Sequence, residues 1–142
     1  MVELMSIPEI TQVMNLWEKS ISVLVDNGTI ENVNELKQEV KEIYETSNVY
    51  VVRNEQAEII GYASIVEGAY LENIYVIEDQ RRKGIGSKLI KHIQSKYDEV
   101  ITDVIVDNEP GNKFMLSLGF IKEEIIHNEM LSLDEVSYYW SN

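Results

Sequence analysis

Arg81-Arg82-Lys83-Gly84-Ile85-Gly86-Ser87 sets three cations side by side and follows them with two glycines one residue apart. The three make up a quarter of the chain's 12 basic side chains. The run lies between an apolar stretch ending at Val76-Ile77 and a stretch of helical spacing that starts near Gly84. A glycine-rich turn at a helix start aims several backbone N–H groups in one direction, and the helix dipole adds about half a positive charge there. Glycine serves where a Cβ would block close approach or the required backbone angles. The chemistry this favours is the cradling of a phosphate or pyrophosphate. It is not a Walker A loop, because no glycine stands four residues before a Gly-Lys-Ser/Thr. Nor is it a dinucleotide fingerprint, because Leu89 occupies the place of the third glycine.

The elements that must position this loop follow from periodicity. Val2 to Met5 reads as a short strand. Ser6-Ile7-Pro8-Glu9 reads as a capping box with proline in the first turn. A helix is expected from there to about Val25, with Ile10, Val13, Met14, Trp17 and Ile21 on one face. Asp26-Asn27-Gly28 ends it. A second helix spans Val33 to Tyr44, with Val33, Leu36, Val40 and Ile43 at helical spacing. Three strands then form an antiparallel meander: Val49 to Val52, Glu58 to Val66 and Tyr70 to Ile77. A helix from Gly84 turns Ile85, Leu89, Ile90, Ile93 and Tyr97 inward. Val100 to Val106 returns as a strand parallel to Tyr70 to Ile77. A short helix from Pro110 to Leu118 stops at Gly119. Phe120 to His127 and Leu133 to Trp140 are the last two strands.

Arg81-x-x-Gly84-x-Gly86 after a hydrophobic strand resembles the Gln/Arg-x-x-Gly-x-Gly/Ala signature of the GCN5-related N-acetyltransferase (GNAT) superfamily, in particular its small, bacterial-type single-domain members. A second block, Asn108-x-x-Gly111-x-x-Phe114-Met115-x-x-x-Gly119-Phe120, is similar to that family's Asn-x-x-Ala-x-x-Phe-Tyr-x-x-x-Gly-Phe. The resemblance covers Tyr50 to Phe120, and the element order agrees over the whole chain. It implies an α/β (α+β) acyltransferase fold: a mostly antiparallel mixed sheet of about seven strands flanked by four helices, in one domain over residues 1–142. It also implies acetyl-coenzyme A as cosubstrate, held between Ile74-Tyr75-Val76 and Thr102 to Val106. The pantetheine arm would pair with backbone at Ile74, Tyr75 and Val76 and would touch Asn108. The pyrophosphate would meet Arg81, Arg82, Lys83, Gly84, Ile85, Gly86 and Ser87.

The activity implied is transfer of an acetyl group to a primary amine of a small molecule or peptide. A lysine amine must lose a proton first, at a cost of about 4 to 5 kcal/mol at pH 7, whereas an α-amine costs about 1. Glu72 is the candidate base: strand alternation sets Tyr70, Glu72, Ile74 and Val76 on one face, and the resemblance implies a carboxylate on this strand that acts directly or through water. The other reading of Glu72 is an exposed strand carboxylate. The acid is where the chain departs from the family. Met115 stands in place of the usual tyrosine and cannot donate a proton, which suits a packing residue. A thiol of pKa near 8.5 needs only about 2 kcal/mol of help at pH 7, which water or the hydroxyl of Tyr138 or Tyr139 could supply. The alternative reading is a non-catalytic coenzyme A-binding or regulatory module. His92 is expected on an exposed helix face, and His127 at a strand end on the acceptor side. The two make no metal site.

Composition sets the remaining bounds. The chain has 142 residues, no cysteine, and 44% hydrophobic and 26% charged residues. That excludes disulfides, cysteine-ligated zinc and a cysteine-bound acyl intermediate, so an acceptor amine would attack directly. No basic residue precedes Lys19 and no apolar run is long enough for a bilayer, so a cytoplasmic chain is expected. The net charge of −13 opposes nucleic acid and anionic membranes and favours a cationic amine. Asp26, Glu31 and Glu129 are the acids expected beside the acceptor, which would enter past the Asp26–Asn32 and Asn128–Ser132 loops. A monomer or homodimer is expected.

Overall fold

A computed structural model describes residues 1–142. Its strands are β1 (Val2–Leu4), β2 (Asn48–Arg53), β3 (Ile59–Val66), β4 (Tyr70–Val76), β5 (Glu99–Ile105), β6 (Ile121–Asn128) and β7 (Leu133–Ser141). They form one seven-stranded sheet in the order β1-β2-β3-β4-β5-β7-β6. Every pairing is antiparallel except β4 with β5. The helices are α1 (Ile10–Ser20), α2 (Ser22–Asp26), α3 (Val33–Glu45), α4 (Ile85–Lys96) and α5 (Glu109–Ser117). This is the mixed sheet with flanking helices that the sequence implied.

Two cores lie on opposite faces of the sheet. Val13, Met14 and Trp17 of α1 and Val40 and Tyr44 of α3 pack on one face, against Val49, Val51 and Tyr62. Leu89, Ile90 and Ile93 of α4 and Met115 of α5 pack on the other, against Ala63, Leu71, Val100 and Tyr138.

Three local expectations are corrected. The first helix does not run unbroken to Val25: it breaks at Ile21 (φ −107°, ψ 9°) into α1 and α2. Its start is as expected, with the Ser6 N–H donating to Glu9 Oε1 at 2.9 Å and a 3-10 turn at Ile7–Glu9. In α3 the inward residue of the last turn is Tyr44, while Ile43 is 48% exposed. Spacing of three or four residues fits either, and burial of the larger ring decides it. Tyr97 follows α4 rather than lying within it.

Candidate active site

The parallel step makes the site. β4 and β5 pair only at Tyr70↔Ile101 and Leu71↔Thr102, and Thr102 Oγ1 closes the end by donating to Leu71 O at 2.8 Å. Beyond this point the strands diverge. Ile77 N–H and Asn73 N–H both point to β3, the first to Ile60 O and the second to Ser64 Oγ. Alternation therefore turns the backbone of Ile74 and Val76 into the gap, with Tyr75 facing β3. Val76 O is already used: Arg81 Nε donates to it at 2.9 Å, and the Arg81 guanidinium lies 5.3 Å from the Tyr75 ring centre.

A cavity of about 780 Å³ crosses the sheet through this gap. Arg81, Arg82, Gly84, Ile85, Gly86 and Ser87 line its cationic end. Gly84 caps α4 with φ +78°, and Arg82 has φ +66°. A side chain in this left-handed region costs on the order of 1 kcal/mol, which glycine avoids. Lys83 does not line the cavity, and its Nζ lies 3.2 Å from Gln80 Oε1. Gly86 is held to its size by packing as well, since a Cβ there would stand 3.2 Å from Phe114 Cζ. Asn108 reaches the cavity wall while capping α5, its Oδ1 accepting from Gly111 N–H at 3.1 Å.

Glu72 lines the other end, but not on the face that alternation assigned. β3 Ser64 pairs with Asn73 and the next residue, Ile65, with Leu71. Glu72 is therefore the extra residue of a β-bulge. Leu71, Ile74 and Val76 face the α4 side. Glu72 and Asn73 both face the α1 and α3 side: Glu72 accepts from the hydroxyls of Tyr44 and Ser64, and Asn73 Nδ2 donates to Tyr62 Oη at 2.7 Å and Ser20 Oγ at 3.0 Å. Burial pushes the Glu72 carboxyl above the ordinary range, while the hydrogen bonds from Tyr44 and Ser64 pull it down. The balance is upward.

Two further carboxylates that the sequence reading did not single out, Asp103 and Glu135, share this end. Tyr70 Oη donates to Asp103 Oδ2 at 3.0 Å, and Asn128 Nδ2 donates to Glu135 Oε1 at 3.1 Å. Burial raises the Glu135 carboxyl, and the Asp103 charge adds to this. Neither carboxylate is in a salt bridge. Trp17, Ile21 and Leu24 also line the cavity. Asp26, Glu31 and Glu129 do not line the cavity. The signal that could have found Asp103 and Glu135 is their outward position on β5 and β7, but that needs the order β5-β7-β6.

Met115 is 4% exposed, packed in the α4-side core, and touches the cavity wall. Tyr138 and Tyr139 lie outside the cavity, donating to Asn112 Oδ1 at 2.5 Å and Glu99 Oε2 at 3.2 Å. His92 is not the free surface residue expected: it is half-buried, with its ring 5.2 Å from that of Tyr50. His127 is exposed and pairs with Asp134 at 2.8 Å. No cluster of three or more metal-ligating side chains is present, and no helix is long and apolar enough to cross a membrane.

The profile of the acetyltransferase (GNAT) domain matches residues 23–128. The chain belongs to the GNAT family. The peptidyl-lysine N-acetyltransferase YiaC of Escherichia coli (strain K12) is 28% identical over 81 residues, 57% of this chain and 56% of that one. The chain thus matches little more than half the length of this GNAT relative. The peptidyl-lysine N-acetyltransferase YjaB of the same organism is 25% identical over 109 residues, 77% of this chain and 74% of that one. The solution structure of apo YjaB superposes with a TM-score of 0.80 at 20% identity, covering 99% of this chain and 96% of that one. The GNAT fold is therefore common to both along their length.

Proposed function

We propose that this chain transfers the acetyl group of acetyl-coenzyme A to a primary amine, on a small molecule or a peptide, in the cytoplasm. The observation that carries this reading is the cavity itself, which crosses the sheet with the Arg81–Ser87 loop at one end and the Glu72 carboxylate at the other. Its chemistry fits the cosubstrate. The amides of Arg82 to Ser87, with the Arg81 and Arg82 guanidiniums, would hold the pyrophosphate. The gap-facing backbone of Ile74 and Val76, and Asn108 Nδ2, would hold the pantetheine arm. When bound, acetyl-coenzyme A supplies an acyl thioester, whose C–S bond breaks as the C–N bond to the amine forms.

The chain's own part is to place the amine and take its proton. Glu72 accepts that proton, and its raised affinity makes it a stronger base than a surface carboxylate. No cysteine exists to carry the acyl group, so attack is direct. Met115 cannot protonate the leaving sulfur and the cavity holds neither Tyr138 nor Tyr139. Solvent or a cavity-lining hydroxyl such as that of Tyr75 supplies that proton, against a deficit of about 2 kcal/mol at pH 7. Asp103 and Glu135 favour an acceptor that is itself cationic, and the names of YiaC and YjaB agree with a lysine-like amine.

The test is release of free thiol from acetyl-coenzyme A with a panel of polyamines, amino acids, lysyl peptides and peptide N-termini. Release above the amine-free rate with at least one cationic amine is expected. Calorimetric coenzyme A binding with no release from any amine would leave a binding module. No binding would remove both readings.

A further inference from the structure

We propose that Tyr44 and Ser64 are positioning residues, which together hold the Glu72 carboxylate at the acceptor end of the cavity. The proposal rests on the acetyl-transfer reading of that cavity. Tyr44 comes from the last turn of α3 and is completely buried. It does not line the cavity; its hydroxyl touches Glu72, which does, and Ser64 at 3.1 Å. Ser64 comes from β3 and is also completely buried.

The bonds are specific to one oxygen. Tyr44 Oη donates to Glu72 Oε2, and Ser64 Oγ donates to the same atom at 3.0 Å. Ser64 Oγ also lies 3.1 Å from Tyr44 Oη and 3.4 Å from Asn73 O, but its single proton is drawn to the ionised carboxylate, the strongest acceptor and the nearest of the three. The Ser64 oxygen then accepts the Asn73 N–H at 3.1 Å, and this bond stands where a ladder bond would close a regular strand pair. One hydroxyl thus makes the bulge and anchors the residue the bulge displaces. Both donors take Oε2, and Oε1 makes no hydrogen bond within the protein. That leaves one oxygen of the cavity carboxylate open to an incoming N–H.

The surroundings make these donors matter. Tyr44 from α3, Tyr62 and Ser64 from β3 and Tyr70 from β4 are the hydroxyl groups around Glu72. α1 contributes Trp17 and Ser20, which do not titrate, and Asp103 and Glu135 share the cavity from β5 and β7. No lysine or arginine pairs with Glu72. Two neutral hydroxyls are therefore all that offsets burial of its charge. Removing either makes protonation easier.

The experiment uses Tyr44→Phe, which keeps the ring against Tyr62, and Ser64→Ala, each alone and in a Glu72→Gln background. Carbon-13 NMR follows the Glu72 side-chain carboxyl through a pH titration, its signal assigned by loss in Glu72→Gln, and needs no activity. Thiol release gives kcat/KM against pH. In Tyr44→Phe the NMR midpoint and the acidic limb of kcat/KM should both rise by about one pH unit. Ser64→Ala should move them in the same direction. In the Glu72→Gln background neither change should alter kcat/KM by more than about twofold. An unmoved midpoint in folded Tyr44→Phe and Ser64→Ala overturns the proposal; should one variant fail to fold, the other decides. A midpoint that moves while the acidic limb stays fixed overturns the positioning role, since another group then titrates in turnover. Absence of turnover with every amine, with the NMR shift intact, is the separate failure of the acetyl-transfer reading.

Discussion

A Cβ added to Gly86 would meet Phe114 Cζ at 3.2 Å, so the first turn of α4 touches α5 at a glycine. Phe114 also lines the cavity, and displacing it changes the wall beside the proposed pyrophosphate loop. Gly86→Val should weaken coenzyme A binding at least about tenfold, near 1.4 kcal/mol by calorimetry. Gly86→Ala should weaken it less, and Phe114→Leu in that background should restore part of the loss. Unchanged affinity in folded Gly86→Val would reject the site.

Glu72→Gln removes the proposed base while keeping a group of the same shape. It should lower kcat/KM about a hundredfold. The pH dependence has a definite sign: burial raises this carboxyl, so activity should climb with pH through a midpoint above the ordinary 4.5. In Glu72→Gln that limb should flatten. A limb of unchanged shape makes the carboxylate a bystander.

Met115→Tyr restores a phenol at a position where the family's second motif has tyrosine. If proton delivery to sulfur limits the rate, kcat should rise roughly a few-fold, and most at high pH, where water is the poorer acid. Met115 is 4% exposed in a packed core, so the larger ring should also cost about 1–3 kcal/mol of stability. Lower stability with no gain in kcat would mean the position only packs.

Arg53 joins β2 to the start of the first helical segment, with Nη2 2.6 Å and Nε 2.8 Å from the two Glu9 carboxylate oxygens. The Arg53 hydrogen bonds hold the Glu9 carboxyl down at about 2, against an ordinary value of 4.5. A depressed carboxyl stabilises the fold above its unfolded value and loses that contribution as pH falls toward the folded one. Urea unfolding at pH 7 should find Glu9→Gln less stable by about 1–2 kcal/mol. The two proteins should converge as pH drops from 4.5 toward 2. A gap that persists at the acid end would mean packing, not charge, sets the difference.

The strands and helices were legible because each carries its own period, and Gly84 and Gly119, both with positive φ, stand at the helix ends they were assigned. What the sequence hid was tertiary. The bulge at Glu72 depends on Ser64 Oγ taking the Asn73 N–H, a contact between strands that no alternation rule contains. Tyr44 and Ile43 both suit the helical stripe, and only the space above β3 chooses between them. Asp103 and Glu135 meet because β7 lies against β5, whereas along the chain they are separated by α5 and β6. The phosphate loop, by contrast, is local, and all its residues but Lys83 line one wall.

The strand order β5-β7-β6 also governs when the molecule can become itself. β7, made last of the seven, lies between two strands made earlier and brings Val136 and Tyr138 into the α4-side core. On a ribosome, a nascent chain reaching only to Asn128 has α1, α3 and the meander β2 to β4 in hand. Its β5 edge has no partner, and its acceptor wall lacks Glu135. The anionic end of the cavity therefore assembles only after β7 has been made, and folding intermediates that lack β7 expose β5 as a free edge to other chains.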